Sequence, residues 1–289
     1  MDVHISQEDL NRIMNEENNK PRPYFEGYSS YEMHYLIYKP FEPGSPIVVQ
    51  NLTDEDYDKI PLFYLVRHLM KHIEEKKEIK LTQAGNLPVK IVLELYTLGF
   101  QVSGQEIPED YIPRKEADSY RVHVCHIVIQ LAGLIKKRNG KISLTRKGQK
   151  QLQSNEKLFG TILTTFFFKF SWAYLGYFEN EDIGQLGSGF SILLMAKYGH
   201  KKRPDTFYSE KYFNAFPALL DNIIPKFDTL QSYASLCYQS RTFYTFMEAF
   251  GLVATESTGK SDGLDIYVTK TELFDKLFKI LPHKIMSTI

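Results

Sequence analysis

Alternating hydrophobic and polar residues predict three short strands, each of which ends near a threonine and runs into a new helix. The segments are EIKLTQAGNLP, KISLTRKGQK and LDIYVTKTELF, and their threonines are Thr82, Thr145 and Thr269. In the second segment Ile142 and Leu144 alternate with polar neighbours, so one face of the strand is apolar and the other is solvated. The pattern therefore predicts three strand-to-helix junctions of one kind.

The second junction is predicted to contain a β-hairpin. LIKKR supplies a partner strand, and Asn139-Gly140 favours a type I′ turn because both central positions of that turn need positive φ. Helical spacing upstream predicts a helix that ends at Gly133, and Thr145 is expected to cap the helix after the hairpin. Helix, hairpin and capped helix follow one another in this order at the C-terminal end of a winged helix.

The other two junctions are variants of this order. In the third, Gly251-Leu252 follows the predicted helix TFYTFMEAF, and Thr269 or Thr271 is expected to cap the helix ELFDKLFKIL. In the first, the helix PLFYLVRHLMKHIEE precedes the strand EIKLT, but Pro88 opens another helix soon afterwards. The first junction therefore predicts a single strand and no full wing.

The predicted fold class is mainly α with short β-hairpins, containing tandem winged-helix-like units in a helical protein. Residues 1–58 are expected to form the helix QEDLNRIMNEE and an extended segment from MHYLIYKPF to PIVVQ. Residues 59–155 are expected to form a winged-helix-like domain. Residues 156–289 are expected to form a helical, aromatic-rich domain that ends in a second winged-helix-like unit, with the aromatic side chains packed in its core.

Composition favours a cytoplasmic protein. Cys125 and Cys237 lie in apolar segments, which is typical of buried free thiols in a reducing compartment, and the polar N-terminus lacks the apolar stretch of a secretory signal. Residues 158–178 are long enough to cross a bilayer. Lys169 and several threonines in that segment favour a buried aromatic helix instead.

The hairpin is the candidate functional site. The chain has 35 basic and 35 acidic residues, so attraction to nucleic acid must come from a local patch. Lysine and arginine side chains that meet phosphates release counterions, but they read no base sequence. Solvation of a hairpin tip is the alternative explanation of the patch. The candidate contacts are Lys136, Lys137, Arg138, Lys141, Arg146, Lys147 and Lys150, and a base-reading helix would have to use Arg121, His123 or Gln130.

Metal-ligand patterns are weak. His68 and His72 are four residues apart on one predicted helix, but the glutamate of the zinc-protease motif is missing. In HVCH, the side chains of His123, Cys125 and His126 are expected to lie on different sides of a helix and not to converge. The sequence predicts no metal site.

Catalytic and cofactor motifs are equally weak. GQLGSGFS, residues 184–191, has the spacing GxxGxG without a lysine or a preceding strand, so it fits neither the phosphate-loop nor the dinucleotide fingerprint. Nothing around Ser188 resembles a nucleophile elbow. The sequence therefore predicts no small-molecule cofactor and no catalytic residue.

Two motifs carry a resemblance to a known group of proteins. LTQAGNLPVKIVLEL, followed by AGLIKKRNGKISLTRKGQ, resembles segments of uncharacterised bacterial proteins, some of them passenger genes of plasmids or transposons, over about residues 61–151. The second motif is also similar to winged-helix regulators, including the MarR type, in which the threonine opens the helix after the wing. The resemblance implies a winged-helix-like fold and an association with mobile elements. The long aromatic C-terminal half departs from the simple regulator pattern.

Three functions remain open at this point. The first is binding of duplex nucleic acid or of a protein partner through the basic hairpin. The second is a protein-interaction or structural adaptor that does not bind nucleic acid. The third is an enzyme with an unrecognised site, which is disfavoured because no acid, base and nucleophile set appears. Neither a membrane partner nor an oligomeric state is indicated.

Overall fold

The computed structural model describes residues 6–104, 106–108, 111–174, 176–221, 223–258 and 265–283. Its α-helices are α1 (Gln7–Asn19), α2 (Ser30–Tyr38), α3 (Asp54–Asp58), α4 (Pro61–Lys76), α5 (Val89–Ser103), α6 (Tyr120–Leu131), α7 (Arg146–Leu152), α8 (Asn155–Phe168), α9 (Ser188–Tyr198), α10 (Asp205–Ala215), α11 (Leu230–Gln239) and α12 (Glu272–Leu277). Its strands are β1 (Ile47–Val49), β2 (Ile79–Lys80), β3 (Ile135–Arg138), β4 (Lys141–Leu144), β5 (Arg203–Pro204), β6 (Val253–Thr258), β7 (Asp265–Lys270) and β8 (Phe278–Ile280). The predicted class, mainly α with short hairpins, is confirmed.

The chain divides into two compact units. The split unit consists of residues 1–50, 182–243 and 253–289, and the central unit consists of residues 51–181 and 244–252. These bounds differ from the expected domains 1–58, 59–155 and 156–289. The expected boundary at residue 155 falls inside the central unit, because α8 packs against α6 and α7 there.

The central unit contains a three-stranded antiparallel sheet in the order β2-β4-β3. The elements α4, β2, α5, α6, β3 and β4 follow one another along the chain. Ile79 pairs with Ile142 and Lys80 pairs with Lys141, so the strand of the first junction is an outer strand of this sheet. The first junction therefore contributes a single strand and no wing of its own, as predicted.

Thr145 and Gly148 join the hairpin β3-β4 to α7. The Thr145 hydroxyl accepts a hydrogen bond from the Gly148 N–H at 3.0 Å and donates to the Gly133 carbonyl at 2.8 Å. A Cβ at Gly148 would lie 2.1 Å from the Leu134 carbonyl oxygen, so only glycine allows this approach. The predicted cap and the left-handed Gly133, with φ of 68°, are both present. The Thr-x-x-Gly spacing thus has a local structural cause.

Aromatic side chains fill the core of the central unit; their burial was predicted, but in the core of a domain of residues 156–289. Phe166 on α8 lies 5.1 Å from Phe250 and 5.6 Å from Trp172 between ring centroids, and Trp172 stacks on Phe246 at 5.0 Å. Phe246 and Phe250 come from the segment 244–252, which explains why that short piece belongs to this unit. No helix in the described ranges combines the length and the apolar character that crossing a membrane requires.

The split unit repeats the order helix, strand, helix, helix, strand, strand. Here α9, β5, α10, α11, β6 and β7 follow one another, and the sheet order is β5-β7-β6. A π-helical segment (Ser240–Met247) continues α11, and its last four residues belong to the central unit. Thr271 caps α12 by accepting from the Phe274 N–H at 3.4 Å, whereas Thr269 lies within β7. The turn between β6 and β7 lies outside the described residues.

The N-terminal segment differs in part from the prediction. The helix α1 and the strand β1 are present, and β1 pairs with β8 through Ile47 and Ile280. The first part of the expected extended segment is instead the helix α2. Ser29 and Glu32 form a capping box at its start, with the Glu32 carboxylate accepting from the Ser29 N–H at 2.9 Å. This local pair favours a helix over an extended strand.

Candidate nucleic-acid interface

We call the hairpin of residues 135–144 in the central unit the wing. Its turn residues Asn139 and Gly140 have φ of 50° and 69°, which confirms the predicted turn with two positive φ values. Arg138 pairs with Lys141 directly before and after this turn. Two cations therefore face each other at the tip of the wing.

Alternate residues of the wing point to opposite faces of the sheet. Ile142 and Leu144 are buried on the inner face, against the helices. Lys136, Arg138 and Lys141 lie on the opposite, outer face, and all three are exposed. Three of the predicted contact residues thus share one solvated surface.

The strand pairing also places three cations side by side across the sheet. Lys80 on β2 pairs with Lys141 on β4, which pairs on its other side with Arg138 on β3. Directly opposed residues have Cβ atoms about 4.5–5.5 Å apart. We call Lys80, Lys141 and Arg138 the cationic row. Lys80 was not among the predicted contact residues, because its neighbours depend on the strand order, although the alternation in EIKLT places it on the polar face of the strand.

The cationic row carries an excess of positive charge. Like charges directly opposite each other destabilise a sheet. Glu78 forms an ion pair with Lys141, but Lys80 and Arg138 have no ion-pair partner among the described residues. An anion that lies along the row would therefore relieve repulsion between neighbouring strands.

The other predicted contact residues do not lie on the outer face. Lys137 points to the inner face, where its Nζ would be 2.5 Å from a Cβ at Gly85. The Lys147 Nζ donates to the Ala132 carbonyl at 2.8 Å, at the C-terminal end of α6. Arg146 and Lys150 are exposed on α7 and lack an ion-pair partner within the described part of the chain.

Helix α6 is not an open base-reading surface. It packs against α4, α5, α8 and the 3₁₀ turn Glu116–Asp118, and half of its residues are buried. Arg121 was expected to be exposed, but it donates to the Gly99 carbonyl at 3.2 Å and to Ser103 Oγ at 3.0 Å. Burial lowers the pKa of Arg121. Of the three candidates on this helix, Gln130 alone is exposed.

His123 and His126 converge on a buried carboxylate. The Nδ1 atoms of both histidines lie 2.9 Å from Glu116 Oε1, and the Leu87 N–H donates to Glu116 Oε2 at 2.6 Å. Burial favours a higher pKa for Glu116, but its bonds with His126, Leu87 and His123 outweigh burial and lower the pKa. The expectation that the HVCH side chains diverge is thus wrong for the histidines. Cys125 remains separate and buried, and burial raises the pKa of its thiol.

The split unit provides an internal comparison for the cationic row. The equivalent positions across its sheet are Pro204, Tyr267 and Glu256, which pair in the order β5-β7-β6. The Lys202 Nζ binds Glu256 at 2.5 Å and lies 5.2 Å from the centre of the Tyr267 ring. This row has no cation of its own, so the two units present different surfaces at matched positions.

The other motifs that the sequence suggested have structural roles. His68 Nε2 lies 2.6 Å from Glu94 Oε1. In the part of the chain that the structure describes, no three His, Cys, Asp or Glu side chains are arranged to hold a metal ion. In the GxxGxG loop, Gly187 has a φ of 69°, and a Cβ at Gly189 would lie 2.3 Å from the Leu36 carbonyl oxygen. These glycines permit a turn and close packing.

Comparison with known proteins gives one match. Residues 58–157 match the family described as the Y4jL N-terminal domain, a segment that includes α4 to α7 and the whole wing. The match covers about a third of the chain, so the chain is similar to this family over that segment. No curated protein and no solved structure gives a significant match.

Proposed function

We propose that the central unit is a winged-helix unit that binds the phosphate backbone of duplex nucleic acid through the outer face of its wing. The observation that carries this proposal is the cationic row, in which Lys80, Lys141 and Arg138 are neighbours on three strands. Lys136 extends the same face along β3. The matched row of the split unit lacks cations, so basic charge at these positions does not follow from the element order.

Phosphate contact explains the arrangement in energetic terms. Each cation that meets a phosphate of duplex DNA releases condensed counterions, and log K falls with log salt by about 0.9 per contact. Four cations on one face predict weak, strongly salt-dependent binding, with a Kd of roughly 10⁻⁴–10⁻⁶ M at physiological salt. The repulsion between the directly opposed cations decreases at the same time.

The proposed binding is independent of base sequence. Direct readout requires side chains that reach base edges in a groove, usually from an exposed helix. Helix α6 is covered by α8 and by the turn Glu116–Asp118, and Arg121 and His123 are bonded within the unit. We therefore propose backbone positioning by the wing and no base reading by α6. We also propose that the protein works in the cytoplasm, since its cysteines are buried and unpaired.

Fluorescence anisotropy with a labelled duplex of arbitrary sequence tests the proposal over a range of salt concentrations. Replacement of the cationic row, K80A/R138A/K141A, should reduce the slope of log K against log salt by up to about 2.7, the value for three phosphate contacts. The control K71A/K157A/K169A removes three exposed lysines of the same unit outside the wing and should leave the slope unchanged. A second, scrambled duplex should bind equally well.

Two results would refute this function. The first is the absence of duplex binding by the wild-type chain at low salt, which would favour the protein-interaction hypothesis. The second is an equal change of slope in both triple variants, because general loss of charge would then explain the effect. Comparison of K136A/R138A with K137A separates the two faces of β3, since Lys137 alone of these three residues points inward.

A further inference from the structure

A cavity of about 400 Å³ with a mixed polar and apolar lining lies in the split unit between α10, α11 and β7. Its size falls within the range of small-molecule sites, roughly 300–1,000 Å³. Three lining side chains are polar and almost fully buried: Asp205, Ser235 and Gln239 are 5%, 7% and 5% exposed. Polar groups at this depth normally have hydrogen-bond partners.

Gln239 is the exception. It is the last residue of α11, it lines the cavity, and its side-chain amide has no hydrogen-bond partner among the described residues. Ser235 differs, because its hydroxyl lies 2.8 Å from that of Ser209. The amide atoms are accessible to solvent through the cavity. A ligand that both accepts from and donates to this amide would take the place of water there.

The charge of the lining indicates which ligands fit. Asp205 and Glu210 contribute carboxylates, and among the residues that the structure describes no lysine, arginine or histidine lines the cavity. Thr206 and Ser232 add hydroxyls, while Leu236 and Ile266 form an apolar wall. Carboxylates favour a cation through Coulomb attraction and charge-assisted hydrogen bonds.

We propose that this cavity binds a small organic cation, an amine or guanidinium compound that also carries a polar group for the Gln239 amide. The cationic end lies towards Asp205 and Glu210, and the polar group meets Gln239. The site lies wholly within the split unit and is separate from the proposed nucleic-acid surface.

Isothermal titration of the full chain with agmatine, spermidine and glucosamine tests this site, with glucose as the uncharged match of glucosamine. At least one of the cations should bind saturably with a Kd of about 1 mM or tighter, and glucose should not bind. Q239L should weaken the binding at least tenfold. E210K reverses a charge at an exposed lining position and should weaken it roughly fivefold or more. The control E272K makes the same change at an exposed position of α12 that does not line the cavity, and should leave binding unchanged.

Backbone amide spectra of each variant establish that the split unit remains folded. In the wild type, the bound cation should shift resonances of α10, α11 and β7. The proposal is overturned if no cation of the panel binds, which would mean that water alone fills the cavity. It is also overturned if glucose binds as well as glucosamine, or if folded Q239L and E210K bind as tightly as the wild type.

Discussion

Replacement of Gly148 by alanine should destabilise the central unit, although alanine is the better helix former. Gly148 lies on α7 at the point where this helix approaches the Leu134 carbonyl. An added Cβ would lie 2.1 Å from that oxygen, whereas close carbon-to-oxygen contacts in proteins are about 3.3 Å or longer. The helix must therefore move by about 1 Å relative to the hairpin.

The expected loss of stability follows from the hydrogen bonds that the Leu134 carbonyl accepts. The Leu134 carbonyl accepts from the Thr145 N–H at 2.9 Å and from the Thr145 hydroxyl at 3.2 Å. A shift of about 1 Å breaks both, at roughly 0.5–1.5 kcal/mol each, and alanine returns about 0.5–1 kcal/mol through its helix propensity. The atom in contact belongs to the backbone, which moves less easily than the end of a flexible side chain. Repacking therefore adds a further cost of about 1 kcal/mol. We expect a net loss of about 2 kcal/mol.

Urea denaturation followed by tryptophan fluorescence measures this loss. Trp172 is the single tryptophan of the chain and is buried in the central unit, so its signal reports that unit. The midpoint for G148A should fall by about 1 M, given a slope of about 2 kcal/mol per M. The control is G160A on α8, where an added Cβ meets nothing within 4 Å. This substitution should stabilise the unit by about 0.5–1 kcal/mol through helix propensity. Equal midpoints for G148A and G160A would refute the packing explanation.

Two further predictions concern the same unit and use the same fluorescence signal. E116Q should lower the free energy of unfolding by about 1–3 kcal/mol at pH 7. Because the pKa of Glu116 is lowered on folding, its contribution is present above its unfolded pKa and is lost as pH falls through the folded value, so the gap to wild type should narrow between pH 7 and about pH 3. A gap independent of pH would contradict this assignment. T145A removes the cap of α7 and should lower the free energy of unfolding by about 1 kcal/mol. The control T164A, at an exposed position on α8, should stay within about 0.5 kcal/mol of wild type. A similar loss in both variants would show that the cap contributes nothing.

Local signals made the wing predictable. The Asn139-Gly140 turn and the Thr145 cap depend on residues that are close together in the sequence, and both are present as predicted. The convergence of His123 and His126 was missed although residues three apart are neighbours on a helix. The carboxylate that brings the two histidines together belongs to Glu116, which lies before α6 in the chain, so the pattern of the helix alone does not reveal it.

Non-local packing accounts for the rest. Lys80 joins the cationic row only because β2 pairs with β4, which no local pattern reveals. The exposure of Arg121 was predicted wrongly, since α5 provides its partners. The unit boundaries likewise depend on Phe246 and Phe250, which lie about 80–90 residues from the α8 side chains that they contact. Hydrophobic pattern identifies such residues as buried but does not identify their neighbours.

The division of the split unit into three chain segments sets the order in which the protein can be completed on the ribosome. Strand β1 emerges early, but its partner β8 lies some 230 residues later, a delay of roughly 10–50 s at about 5–20 residues per second. The central unit is finished first, once residue 252 has left the exit tunnel. Throughout that interval the first fifty residues lack their partner strand. A nascent chain that stalled before residue 278 would contain a complete central unit and an incomplete split unit.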